Sequence, residues 1–318
     1  MYVKEFFPRV AVPRNDVHDL FDPDRDVGRR LRGLLTKVLR GGREVLAVIG
    51  GYGLGKTHTL KYLNHIASSA NVKIVYIPSP GRGFLDFYAT VVENVLDTAV
   101  LKVSSISNPA LKKALTLLRD EDSDLQVYVK GWLLGYSIPS NIKYKLGLIG
   151  NVRENNAVTF LSEILSNIVS NQMRVLILLD EVEVLLNLPR NARFSYMENL
   201  REFIDVMPEG TAVVMSMTPA CWDDVMTLNP ALYRRLSGNI LYLKPLRREQ
   251  VVEFVKYYFD DMYKLLNDDI YGYIYELTNG VHGEVLKYVS ILLEETLQEN
   301  GGGTLNLETA KRILAEYT

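Results

Sequence analysis

The chain has 318 residues, of which 47% are hydrophobic and 23% charged, and a formal net charge of −2. That balance suits a globular chain with a sizeable core and excludes a polycation built to coat nucleic acid, so any nucleic-acid contact has to come from a local patch. The single cysteine, Cys221, excludes an intrachain disulfide, and the four histidines are too scattered for a zinc-type centre. No apolar run reaches membrane-span length and the start carries no secretory apolar region, so a cytoplasmic protein that does not enter membranes is expected.

In chain order, residues 1–25 are rich in Pro and Asp and read as an extended arm. A basic helix follows over Val27–Leu39, with Leu31, Leu34, Leu35 and Val38 on one stripe. Val45–Ile49 is a continuous apolar run, the mark of a parallel strand covered on both faces. A glycine-rich stretch leads to a helix over Thr59–Ala67, and Lys73–Ile77 is a second strand ended by Pro78 and Pro80. A helix from Phe84 to Leu101 comes next.

Residues 104–156 interrupt the alternation with helical patches and read as a helical insertion. The pattern then resumes: helix Val158–Val169, strand Val175–Leu179, helix Phe194–Val206, strand Ala212–Met217 and a short strand Ile240–Leu243. Strands alternating with helices predict a doubly wound α/β domain over 26–245. From 246 to 318 the strand signals stop. Val251, Phe254, Val255, Tyr258 and Phe259 form one helical stripe, and Val285, Val289, Leu292 and Thr296 form another. Beyond a Gly301–Gly303 turn, Ala310, Ile313, Leu314 and Tyr317 share a third. A small all-helical domain is expected there.

The chemistry concentrates in four places. Gly50-Gly51-Tyr52-Gly53-Leu54-Gly55-Lys56-Thr57 is a G-x-x-x-x-G-K-[ST] loop between a strand and a helix, followed by His58. Its glycines let backbone N–H groups converge on phosphate oxygens, Lys56 reaches the β- and γ-phosphates, and Thr57 offers a hydroxyl to Mg²⁺. ATP/ADP with Mg²⁺ are therefore the expected ligands. The strand Val175–Leu179 runs into Asp180-Glu181 at the edge where ligands of open α/β sheets sit. Asp180 is the candidate metal-binding acid, and Glu181 the residue that orients or deprotonates the attacking water.

At the end of the next strand Thr218 is the candidate for contacting the γ-phosphate and water, with Ser216 as the alternative. A hydroxyl capping the helix that begins at Pro219 explains Thr218 about as well. In Asn229-Pro-Ala-Leu-Tyr-Arg234-Arg235, Arg235, preferred over Arg234, is the candidate arginine finger acting in trans in a homo-oligomer. A surface arginine at a helix end is the plainer reading.

The order of these parts resembles the AAA+ ATPases over roughly residues 25–318. The local runs Leu179-Asp-Glu-Val-Glu-Val-Leu, Tyr196-Met-Glu-Asn-Leu-Arg-Glu-Phe-Ile-Asp and Met217-Thr-Pro are similar to the archaeal origin-recognition initiator branch and to related transposition-regulator and BREX-type ATPases. The resemblance implies ATP hydrolysis, a helical lid over 246–318, assembly into an oligomer, and action on DNA or on a protein partner.

Two departures from the family pattern stand out. A winged-helix DNA-binding domain is not expected after the lid. The lid segment Gly280-Val-His-Gly283-Glu-Val-Leu-Lys287 carries no arginine for the γ-phosphate, which leaves Lys287 as a substitute and His282 as a residue near the nucleotide or merely packed in the lid. Arg29, Arg30, Arg32, Lys37, Arg40, Arg43, Arg247 and Arg248 form a candidate phosphate-facing patch. The plainer reading is a solvated helix face with partners among Asp22, Asp24 and Asp26. A switch ATPase acting on a protein without touching DNA is the alternative function.

Overall fold

A computed structural model describes residues 19–100, 103, 106–119, 125–299 and 304–317. Most of the expected N-terminal arm and the glycine turn at 301–303 lie outside the described residues. The elements are α1 (Asp26–Leu39), β1 (Glu44–Ile49), α2 (Lys56–Ala67), β2 (Val72–Ile77), α3 (Phe84–Val100), α4 (Pro109–Arg119), α5 (Gln126–Leu133), α6 (Ser140–Leu146), α7 (Glu154–Ser170) and β3 (Arg174–Leu179). A 3-10 helix, Val182–Asn187, follows β3. Then come α8 (Arg190–Val206), β4 (Thr211–Met217), α9 (Pro219–Leu228), α10 (Pro230–Leu236), β5 (Ile240–Tyr242), α11 (Arg248–Phe259), α12 (Asp268–Thr278), α13 (His282–Glu299) and α14 (Leu307–Leu314).

The five strands form one sheet in the order β2-β3-β4-β1-β5, and every pairing is parallel. Parallel strands require crossovers, and the helices that provide them cover both faces. Alternate residues therefore enter different cores. Val175, Ile177, Leu179, Val213, Met215 and Met217 face a core shared with α3, α7 and α8. Leu176, Leu178, Ala212, Val214, Leu46 and Val48 face the opposite core, where Leu31, Leu34, Leu35 and Val38 of α1 pack beside Leu60 and Leu63 of α2. Each predicted stripe residue of α1 is buried. The helices α4–α6 extend the first core, burying Leu111, Trp132 and Leu146.

Residues from Leu246 onward build a third apolar core of their own, with Val251, Phe254, Val255, Val285, Val289 and Leu292 at its centre. Thr296 completes the α13 stripe, and its hydroxyl donates to the Leu292 carbonyl at 2.7 Å, so the polar group is satisfied while buried. Tyr317 departs from the expected stripe: α14 ends at Leu314 and the tyrosine is exposed. The sequence reading also overlooked α12, although Asn267 caps it through the Ile270 amide and Asp268 and Asp269 occupy its first turn.

The short described part of the arm joins the layers. Asp22 accepts from the amides of Asp26 and Gly28 at the start of α1. Asp24 pairs with Arg247 at 3.2 Å, and Phe21 stacks edge-on against Phe254 with ring centres 5.1 Å apart.

Candidate functional site

The phosphate-loop residues leave β1 at the C-terminal edge of the sheet. Gly50 donates to the Met217 carbonyl of the neighbouring strand at 3.1 Å. The chain then turns through positive φ at Gly53 (75°) and Gly55 (86°), which a side chain would strain. At Gly53 an added Cβ would also meet Val281 Cγ1 at 2.7 Å. Here the helical C-terminal region is tied to the loop, because the Gly283 amide donates to the Gly53 carbonyl at 2.9 Å. Gly55 is the N-cap of α2 and no side chain caps that end. The first turn of α2 thus begins, without a side-chain cap, at the positive end of a helix dipole, the arrangement that favours an anion. The helix starts at Lys56 rather than Thr59, so the loop lysine and Thr57 sit in its first turn.

A cavity of about 940 Å³ lies over this loop. Its walls come from Gly53–Thr59, from Glu181 and Glu183 after β3, from the arm around Phe21, and from the helical C-terminal region through Phe254 and His282. The volume and the mixed apolar and polar lining suit a nucleotide.

Asp180 is 1% exposed and held from three sides. Its Oδ1 accepts from the Ser216 hydroxyl and from the Glu181 amide (3.0 Å), and its Oδ2 accepts from Tyr76 Oη at 2.8 Å. Burial and the Asp180 charge push the Tyr76 phenol above its ordinary range, so it remains a donor. Glu181 follows in a left-handed conformation (φ 51°) that turns the chain sharply out of β3, and its exposed side chain lines the cavity. Partial desolvation, then Asp180 and Glu183, raise its carboxyl above the usual range, while Lys56 opposes them. An acid shifted upward beside a phosphate site is suited to accept a proton from water.

The two hydroxyl candidates separate clearly. The register aligns Leu179 with Met215, so one step further along Ser216 stands beside Asp180, and it also accepts from the Glu181 amide at 3.2 Å. Thr218 accepts from the Cys221 amide at 3.4 Å as the cap of α9, and neither hydroxyl is among the residues that line the cavity. Ser216→Ala is therefore expected to loosen Asp180 and lower ATP turnover by about tenfold or more, whereas Thr218→Val is expected to cost mainly stability, about 1 kcal/mol for a lost cap. Parallel steady-state turnover and thermal melting of both variants check this.

Arg235 does not line the cavity. Its guanidinium forks onto Asp205, Nε to Oδ1 and Nη2 to Oδ2, each at 2.9 Å, and Arg201 shares the same carboxylate at 2.8 Å. The Arg235 hydrogen bond holds the Asp205 carboxyl below its usual range. Asp205 precedes β4 and Arg235 precedes β5, so both sit at the N-terminal edge of the strands, opposite the loop. Arg234 is exposed.

In the helical C-terminal region, Lys287 pairs with Glu284 at 3.7 Å and lies over the Tyr288 ring, away from the cavity lining. His282 does reach the cavity and also packs edge-on against Phe254, with ring centres 5.2 Å apart. Burial, helped by His58, lowers its pKa to about 4, so it is neutral at pH 7.

The oxygen donors of Thr57 and Asp180 match the preferences of Mg²⁺. Among the described residues there is no group of three or more His, Cys, Asp or Glu that could hold a metal ion.

Several cations of the basic patch have partners within the chain, although Arg29, Lys37 and Arg247 stay more than half exposed. Arg29 pairs with Asp26, Lys37 with Glu44 and Arg247 with Asp24, while Arg30 donates to Asn239 and Arg43 to the carbonyls of Asp205 and Met207. Among the described residues no helix is long and apolar enough to cross a membrane.

Comparison with known proteins agrees with this geometry. The Aeropyrum pernix ORC2 protein, solved as ADPNP–ADP complexes, superposes with a TM-score of 0.61 at 14% identity, covering 98% of this chain and 72% of that one. Cdc6p from Pyrobaculum aerophilum gives 0.54 at 14% identity, covering 92% and 66%. The A. pernix ORC1 protein, solved in complex with DNA, gives 0.54 at 16% identity, covering 97% and 69%. The chain thus spans about two thirds to three quarters of these proteins, which at such identity share its fold. No curated protein matches it. The family described as an ATPase domain predominantly from Archaea matches residues 24–288. With that match covering the loop, the Asp180-Glu181 strand end and most of the helical C-terminal region, the chain belongs to this family of ATPase domains.

Proposed function

We propose that the protein binds ATP-Mg²⁺ in the cavity over the Gly50–Thr57 loop and hydrolyses it, with Glu181 aligning the attacking water. The observation that carries this reading is the convergence of two separate chain segments on one cavity: the uncapped start of α2 and the left-handed turn that presents Glu181. Asp180 and Thr57 would hold the metal, which would neutralise phosphate charge during transfer.

Assembly belongs to the same proposal. Arg235 sits at the sheet edge opposite its own loop, so it could serve only a neighbouring copy's nucleotide, after leaving Asp205. Turnover per chain should then rise with protein concentration. Arg235→Ala should lower the assembled rate by about 10³-fold, as for an arginine finger, and leave the dilute rate unchanged. Arg234→Ala is the control. An equal loss in a strictly monomeric preparation would remove the trans role.

The output is proposed to be a DNA transaction driven by ATP-dependent assembly, supported by the fold shared with the A. pernix ORC1 protein solved in complex with DNA. A second reading is a switch that acts on a protein partner without touching DNA, in keeping with a chain whose net charge is −2. Turnover measured with and without double- and single-stranded DNA at two salt concentrations separates them. Salt-sensitive stimulation supports the first reading and indifference supports the second.

A further inference from the structure

Glu183 has no role in the scheme above, yet it stands on the key cation of the site. Its Oε1 is 3.2 Å from Lys56 Nζ, and both side chains are under a tenth exposed. A lysine ammonium has three hydrogens to give. Here Nζ faces Glu183, the Gly51 carbonyl at 3.4 Å and the Tyr52 ring at 5.2 Å. The shortest of these contacts is the carboxylate, while the lysine still lines the cavity in which a phosphate would arrive.

The pair is also incompletely built. Glu183 Oε2 is buried and has no hydrogen-bond partner among the described residues. A buried ion pair is best sustained when all its polar atoms are satisfied, and here one carboxylate oxygen is not, which leaves the pair costly to keep.

We propose that Glu183 is a resident counter-ion of the loop lysine, competing with the triphosphate for Lys56. This deepens the nucleotide reading and rests on it. In the empty site the carboxylate neutralises the buried ammonium and holds the loop together. Phosphate entry exchanges one anion for another at Nζ and frees Glu183. Glu183 thus acts through Lys56, as a positioning residue that sets nucleotide affinity below what the loop alone would provide. Val182 between the two acids is buried, so the 3-10 helix after β3 anchors Glu183 on the lysine while Glu181 stands free at its start.

The test is Glu183→Gln, an isosteric change that removes the competing charge. ATP and ADP affinity are measured by calorimetry, with and without Mg²⁺, beside thermal melting of the nucleotide-free protein. The expected result is ATP binding about tenfold tighter, a lower melting temperature without nucleotide because the ammonium loses its partner, and a larger upward shift on adding ATP. A melting loss with unchanged affinity would reduce Glu183 to a structural role and overturn the proposal. So would tighter binding without any melting loss, which is what simple repulsion of phosphate predicts. If Glu183→Gln does not fold, Glu183→Asp, whose shorter side chain lengthens the pair, must tighten binding in the same direction, and failure to do so overturns the proposal. Absence of ATP binding by the unaltered protein is a distinct result that removes the nucleotide reading itself.

Discussion

Glu181→Gln is expected to leave ATP binding intact while lowering the turnover number by about 10²- to 10⁴-fold, the range that a positioned general base contributes. Glutamine keeps the size and hydrogen-bonding reach of the side chain but cannot take a proton. The left-handed backbone at Glu181 is set by the 3-10 helix that follows it and should survive the change. The effect should therefore fall on the chemical step alone, with KM little altered. A single-turnover assay beside equilibrium binding of ATP checks this. Unchanged turnover would move the water-activating role to another group, such as Glu183, which lines the cavity two residues further along. Because the Glu181 carboxyl is raised by partial burial and by Asp180 and Glu183, the activity of the unaltered protein should fall on its acid limb at a higher pH than an ordinary glutamate would set.

Lys56→Ala is expected to act earlier, at binding. Removing one member of a buried charge pair costs about 2–5 kcal/mol, so ATP affinity should drop by roughly 30-fold to several thousand-fold. The same change strands the Glu183 carboxylate in a buried site. Breaking a buried ion pair from one side costs about 3–5 kcal/mol, so the nucleotide-free protein should melt earlier as well. The two consequences are measured separately, by calorimetry and by thermal melting. Tight ATP binding by Lys56→Ala would refute the loop assignment, and an unchanged melting point would show that Glu183 tolerates isolation. Lys56→Met retains most of the buried stem and isolates the loss of charge.

The site contains a hierarchy of rigidity. Asp180 is fixed by Ser216, Tyr76 and a backbone amide, so a metal would meet a carboxylate already oriented. Glu181 is left exposed and adjustable beside it. Lys56, held by Glu183, must be exchanged before it can act. The bond between Gly283 and Gly53 adds a direct path by which motion of the helical C-terminal region reaches the loop.

Much of this was legible along the chain. The strand periodicity of Val175–Leu179 and Ala212–Met217, the stripe of α1, and the spacing from Gly50 to Thr57 are local patterns, and short-range sterics and burial enforce them wherever they occur. Helix boundaries slipped by a few residues because polar first turns, such as Glu154–Ala157 and Arg190–Arg193, carry no apolar stripe. The missed α12 had its signal in Asn267-Asp-Asp, a cap followed by first-turn acids, but its stripe of Ile270, Tyr271 and Ile274 is short.

Choices between neighbours were not legible. Ser216 and Thr218 lie on the same strand parity, and only the β3–β4 register placed one beside Asp180 and the other at a helix start. Nothing in the spelling of Tyr76 marks it as a partner of an acid 104 residues away. Glu183 reads as one more acid after a strand, and its hold on Lys56 exists because a tight helical turn folds it back over the loop. The family, the parallel sheet and the phosphate loop follow from patterns that each segment carries by itself. Which side chains meet depends on strand register and on the packing of segments far apart in sequence, because contact energies belong to pairs and no single stretch contains both partners.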